Sequence, residues 1–443
     1  MSDSEQMPKG MMARARWAAE RTPETRNRAV DFYRAVAIMF VVLGHWLLVA
    51  PVIINDEVTL TILLSSEPWT HYITWLFQVM PVFFFVGGFA NALSWDSAQK
   101  DPEKTRVWAA TRLARLLKPT IPLVLLWAVA AFIAGRMGVN PELITAASQA
   151  ALVPVWFLAV YIVITIVVPI SVAAWNKIGM GSILVLVIGA ILVDMIAFGF
   201  DQGWLRWLNY AFVWLTMHQL GYWWRGTQRA KTWAVGFIAV GLGWLYLLIA
   251  HYGYPVAMVS VPGQEMSNTR PPTTAMLAVG FVQVGAILMV TGPVSKWLQN
   301  VRPWAWVILL NQMIMSVYLW HLSAMIIVVA IAANLNGIGL RMQPGSGEWW
   351  MMRPLWVALF IVVLIPLVLI FLRFEAGSRV SKHSQPGPLQ AVIGTFITCG
   401  GLIMMAMDGI SATNFLGVNW IALVMVLLGV GVATKRIGGG ETQ

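Results

Sequence analysis

The stretch Asp31-Phe-Tyr-Arg34-Ala-Val-Ala-Ile-Met-Phe-Val-Val-Leu-Gly-His45 decides the fold, because two ionisable side chains flank ten consecutive apolar residues. An ionisable group inside a membrane span is costly and marks function by default. Eleven residues at about 100° each end about 20° past three full turns, so Arg34 and His45 share one helix face. Along the axis they are about 16 Å apart, near half a hydrocarbon core. The first span is therefore expected to carry a fixed cation near one interface and an imidazole deep in the bilayer. A snorkelling arginine and an interhelical histidine bond would leave the same pattern without any chemistry.

Working outward, the chain has 443 residues, 59% hydrophobic and 11% charged. Soluble domains carry about 25% charged residues, so the composition specifies an integral membrane protein. The expected fold is all-α, a polytopic transmembrane bundle with spans near 30–52, 70–95, 108–134, 150–173, 181–200, 204–224, 232–251, 273–292, 304–333, 354–373, 388–407 and 417–434. The ninth of these twelve is long and is expected to be tilted or broken. Abundant Trp and Met suit interfacial belts and adaptable helix packing. Cys399 is the one cysteine, which excludes an intrachain disulfide.

Charge orients the chain. With both termini cytoplasmic, the N-terminal segment, the even-numbered loops and the C-terminal tail hold 23 of the 29 Lys and Arg. The opposite side holds Arg136, Arg206, Arg270, Arg341 and Arg353, and Arg34 lies in the first span. That asymmetry satisfies the positive-inside rule and an even span count. The basic residues form no single stripe, which argues against a nucleic-acid partner. The expected location is the plasma membrane. The domain reading is a basic cytoplasmic segment over 1–28, a membrane core over 29–380, and a linker with two further spans and a tail over 381–443.

Two longer outer loops, 251–274 and 334–353, place Tyr252, Tyr254, Trp349 and Trp350 beside Arg270, Arg341 and Glu348. Such residues can stack on and hydrogen-bond a sugar, and an interfacial aromatic belt has the same composition. On the sixth span Trp207, Trp214, His218 and Arg225 align within about 20°. Asp194 lies in an apolar run and invites a buried cationic partner. Tyr318 and His321 are three apart, with Asn311 two turns earlier, and could form a polar wall or a structural interhelical bond. His71 and His383 lie near interfaces and need no role. No metal-ligand motif is present, and no metal is expected.

These residues resemble a known family, the acyltransferase-3 family of multi-pass membrane acyltransferases. The resemblance rests on Asp31, Arg34 and His45, on Pro81-Val-Phe-Phe-Phe-Val-Gly-Gly-Phe89, and on the basic stretch Arg112-Leu-Ala-Arg115-Leu-Leu-Lys118. Trp156-Phe-Leu with Tyr161, and Tyr318-Leu-Trp-His321, continue it in order over roughly residues 28–373. Relatives usually carry Ser-Gly where this chain has Gly87-Gly88, and their core has about ten helices. The last two spans are then extra, a packing surface or a contact for a membrane partner or a second copy. All matched motifs precede them.

The chemistry fits that resemblance. Acyl transfer from a thioester to a hydroxyl needs a base, and His, with an unperturbed pKa of about 6.5, suits that role near neutral pH. His45 is the expected base, Arg34 a cation at the helix entrance, and Asp31, one turn earlier, its orienting ion-pair partner. An acyl-coenzyme A donor brings phosphates, for which Arg106, Arg112, Arg115 and Lys118 are the cytoplasmic candidates. Plain positive-inside charge accounts for them equally. Trp156, Tyr161, Tyr318 and His321 are candidates to line the substrate cavity. Two functions stay open: O-acyl transfer from acyl-CoA, a co-substrate and not a resident cofactor, to an envelope carbohydrate or glycolipid, or transport of a lipid-linked glycan along an Arg34–His45 path.

Overall fold

The computed structural model describes residues 8–227, 230–376, 386–410 and 417–434; His383, most of the expected linker at 381–388 and the C-terminal tail lie outside them. The chain opens with α1 (Met11–Glu20), so the basic N-terminal segment contains a helix of its own. An unbroken 21-residue α2 (Arg28–Leu48) follows, about 31 Å long at 1.5 Å per residue. It ends four residues short of the expected boundary at 52. Two antiparallel strands take its place, β1 (Val49–Ile54) and β2 (Glu57–Ile62), with Ile54 opposite Glu57. Asn55 and Asp56 make the turn at φ 51° and 62°, the two positive values a tight hairpin requires. Val49-Ala-Pro-Val-Ile-Ile54 is as apolar as a helix, which hid the hairpin. Its β-branched residues and Pro51 are the signal for a strand.

The helices after the hairpin are α3 (Thr70–Phe77), α4 (Met80–Ala98), α5 (Pro102–Leu117), α6 (Thr120–Arg136), α7 (Pro141–Ile178) and α8 (Met180–Gly199). Then come α9 (Asn209–Gly226), α10 (Ala230–Tyr252), α11 (Thr274–Trp297), α12 (Val301–Gln312), α13 (Ile314–Asn334), α14 (Gly347–Ala376), α15 (Pro388–Asp408) and α16 (Trp420–Thr434). Among the described residues, ten helical stretches are long and apolar enough to cross a bilayer. This is a multi-pass membrane protein. Of the other two expected spans, α9 carries Asn209, His218, Gln219 and Arg225, and α16 has 15 residues against the ~20 that a span needs.

Two spans are broken, and side chains from elsewhere satisfy the exposed backbone. The expected ninth span divides at Met313 into α12 and α13. Glu375, at the end of α14, accepts hydrogen bonds from the Met315 and Ser316 amides and the Ser316 hydroxyl, capping α13. The second span divides between α3 and α4. There the Gln283 amide donates to the Trp75 and Gln78 carbonyls. Without such partners each freed polar group would be strongly unfavourable in the membrane.

Contacts group the chain into two units. One comprises residues up to Val41, Trp69–Ala92 and Ser171–Ile314. The other comprises Val42–Pro68, Leu93–Ile170 and the chain from Met315 onward. In the first, α4 and α9 meet at glycines: a Cβ on Gly88 would strike the His218 carbonyl, and one on Gly221 would strike the Phe85 carbonyl. In the second, α15 and α16 pack through Gly394, Gly401 and Gly429, a close backbone approach typical of membrane helices. The same pair rests on α5, and α15 also meets α7, where Gln149 donates to the Met407 carbonyl. The two last helices therefore cover the apolar face of the basic helix α5.

Candidate active site

In the second unit, His45 lies in the last turn of α2. The imidazole therefore sits three residues before the end of its helix at Leu48, beside the hairpin. His45 Nδ1 is 3.0 Å from His321 Nε2, with the rings inclined by 23°. His321 is fully buried on α13, and its Nδ1 is 2.7 Å from the Tyr318 carbonyl oxygen. That carbonyl can only accept, so the His321 proton is assigned to Nδ1. In the neutral ring Nε2 is then an acceptor, which assigns the His45 proton to Nδ1. The lone pair of neutral His45 is consequently on Nε2. Backbone carbonyl acceptance at His321 Nδ1 sets the tautomers of both rings.

Packing holds this pair in place. Trp46 Nε1 donates to the His321 carbonyl at 3.0 Å, and Tyr318 donates its hydroxyl to the Pro154 carbonyl on α7 at 2.6 Å. Phe157 joins the rings of Trp156, Tyr161 and Tyr318 at centroid distances of 6.4, 6.5 and 5.9 Å. Trp127 on α6 donates to the Ser323 hydroxyl at 2.9 Å. The four expected cavity residues Trp156, Tyr161, Tyr318 and His321 are therefore brought together with His45 in one unit. Sequence reasoning missed Phe157, Trp127 and Trp46, since one more aromatic among apolar residues carries no signal.

In the first unit, Arg34 is tied to Asp31 and Asn311. Its Nε donates to Asn311 Oδ1 at 2.8 Å and an Nη donates to Asp31 Oδ1 at 2.9 Å. The expected ion pair is thus present. Asp31 also accepts from Arg26 on its other oxygen, at 2.7 and 2.9 Å. Asn311 donates to the Asp31 carbonyl at 3.0 Å, which locks α12 to α2. A cavity of about 390 Å³ opens on Asp31, Arg34 and Asn311.

Several expected placements change. The polar wall splits, with Asn311 meeting Arg34 while Tyr318 and His321 serve His45. Arg106, Arg112, Arg115 and Lys118 lie on or directly after α5, in the second unit, whereas Arg34 belongs to the first. Trp207 falls in a short 3-10 turn before α9 and is exposed, so it leaves the expected stripe. Trp214 stacks on Phe84, and the buried His218 ring bonds Asn91 and Tyr222 at 3.2 and 2.9 Å. Asp194 accepts from Asn209, Tyr254 and Thr274 and caps α11, with the Arg206 guanidinium as its cationic electrostatic neighbour. Burial, reinforced by that carboxylate, pushes the Tyr254 phenol above its usual range and keeps it a donor. Trp349 is buried under the Arg353 guanidinium, 4.1 Å from its ring, and is not available to stack on a sugar.

The profile of the acyltransferase-3 family, described as an acyltransferase domain, matches residues 27–373. The chain belongs to this family. It is an acyltransferase. Neither the curated proteins nor the solved structures give a match. The matched span begins one residue before α2 and ends within the last turn of α14, so α1, α15 and α16 lie beyond it.

Proposed function

We propose that this acyltransferase moves an acyl group, acetyl in the simplest case, from cytoplasmic acyl-CoA to a hydroxyl of an envelope carbohydrate or glycolipid in the plasma membrane. The observation that carries this reading is the His45–His321 pair with its carbonyl-fixed tautomers. His45 Nε2 removes the proton from the acceptor hydroxyl as its oxygen attacks the thioester carbonyl carbon. The C–S bond then breaks, and the coenzyme A thiolate takes that proton back from His45. His321 is a positioning residue: it accepts the Nδ1–H of His45 and stabilises the imidazolium that forms during attack. Asp31 and Asn311 aim the Arg34 fork toward the donor's phosphates, a geometry lysine cannot copy.

The reading is tested with purified protein in detergent and acetyl-CoA. Release of free coenzyme A is expected, and it rises when a carbohydrate acceptor is added. His45→Ala should abolish both. His321→Ala should lower kcat and leave the KM for acetyl-CoA in place, because His321 touches only the base. A wild-type protein that neither binds nor turns over acetyl-CoA would overturn the donor assignment. An active His45→Ala variant would move the base elsewhere.

A further inference from the structure

The Arg34 cavity has a wall that the family match does not include. Residues 11–26 form α1 and the turn after it, ahead of the matched span at 27. They are fastened to the bundle at several points. Ala15 and Ala19 are buried in one cluster with Leu298, Trp304 and Ala305. Trp304 Nε1 donates to the Thr22 hydroxyl at 2.8 Å, and Arg28 donates to the Leu298 carbonyl at 2.8 Å. Arg26 lies over the Trp304 ring at 5.7 Å. Held this way, Arg21 and Arg26 line the same 390 Å³ cavity as Arg34, Asp31, Trp304 and Asn311. Three guanidiniums face one carboxylate there, so the cavity is cationic, and it has an indole on its wall.

We propose that α1 supplies Arg21 and Arg26 to a pocket for the phosphorylated nucleotide end of the acyl-CoA donor, so that donor affinity depends on this N-terminal segment. The proposal rests on the acyl-CoA reading given above. Guanidinium forks suit phosphate because they bind it bidentately, and the buried Trp304 indole, with Arg26 and Arg28 over its ring, holds the forks at the cavity wall. Asp31 keeps two of the three forks aligned before the anion arrives. Arg21 and Arg26 are exposed, so both can be replaced without opening the core.

The experiment compares acetyl-CoA with acetyl-pantetheine, which carries the same thioester and no phosphate, on the full chain in detergent. Wild type should favour acetyl-CoA in KM, and Arg21→Ala and Arg26→Gln should each reduce that preference by about tenfold. In a second arm, adenosine 3′,5′-bisphosphate should bind the wild type, weaken with salt, and bind Arg21→Ala poorly. Preference for acetyl-CoA that survives both substitutions would overturn the pocket, as would equal losses with both donors, which would mean a structural effect. A pocket that holds phosphatidylglycerol micelles but not the bisphosphate would assign the phosphate site to a lipid headgroup and also overturn it. Should wild type use no acyl-CoA at all, the functional reading fails. The pocket then fails only if the bisphosphate does not bind or binds Arg21→Ala equally well.

Discussion

The Arg34 end and the His45 end of α2 place polar groups in opposite ways. At the Arg34 end, charges offset one another beside a cavity: Asp31 accepts from two guanidiniums, and the Arg34 side chain keeps 34% of its surface exposed. At the His45 end two imidazoles meet, and His321 is fully buried behind Trp46 and Tyr318. The difference teaches that one helix can hold a charged arginine and a hydrogen-bonded histidine without using the same physics for both. Ionic groups tolerate the chain where water reaches them. A base keeps a defined tautomer where backbone carbonyl acceptance dictates it.

The most severe way to break the comparison is His45→Ala, expected to lower kcat by about 10²- to 10⁴-fold, the usual range for losing a general base. The measurement is turnover per folded, monodisperse molecule. Near wild-type turnover would make the buried end structural.

Arg34→Lys tests the other end. It keeps the charge and loses the fork shared between Asp31 and Asn311, so KM for acetyl-CoA should rise about tenfold, or ~1.4 kcal/mol, with a smaller change in kcat. A lysine variant with unchanged donor kinetics would show that Arg34 only snorkels.

Neutralising Arg112 and Arg115 together sharpens the contrast between α5 and the Arg34 cavity. Those residues lie on a surface helix where water screens charge, so the KM increase should be smaller than for Arg34→Lys and should shrink with added salt. An increase larger than that of Arg34→Lys would return the donor site to α5.

Glu375→Ala removes the cap on α13, the helix that carries Tyr318 and His321. Stability should fall by about 1 kcal/mol, as for other lost helix caps, and kcat should fall with it while donor KM holds. Thermal unfolding and steady-state kinetics on the same preparation separate the two effects.

The smallest effect concerns Asp101, which caps α5 by accepting from the Glu103 and Lys104 amides. The Lys104 hydrogen bonds hold its carboxyl below the usual range. The cap is therefore fully present above the unfolded pKa of about 4 and is lost as pH falls through the lower folded value. Hydrogen exchange at the start of α5 should accelerate only below that pH.

Much of this protein was legible in the linear sequence, because apolar runs near 20 residues and the sidedness of Lys and Arg are one-dimensional signals. The same holds for Arg34 and His45 sharing a helix, for the Asp31–Arg34 pair one turn apart, and for the break in the long ninth span. The β-hairpin after α2 was hidden, since a strand of Val and Ile is as apolar as a helix; its β-branched residues, Pro51 and the Asn55-Asp56 turn betray it. What no linear reading could supply are pairings across large sequence separations. His321 sets the tautomer of His45 from 276 residues away, Glu375 caps a helix that begins some 60 residues earlier, and Asn311 locks Arg34. The sequence by itself determined a membrane bundle with an arginine and a histidine on one helix. Tertiary structure alone decided which partners those two residues meet, because a hydrogen bond depends on distance and direction in space and not on position along the chain.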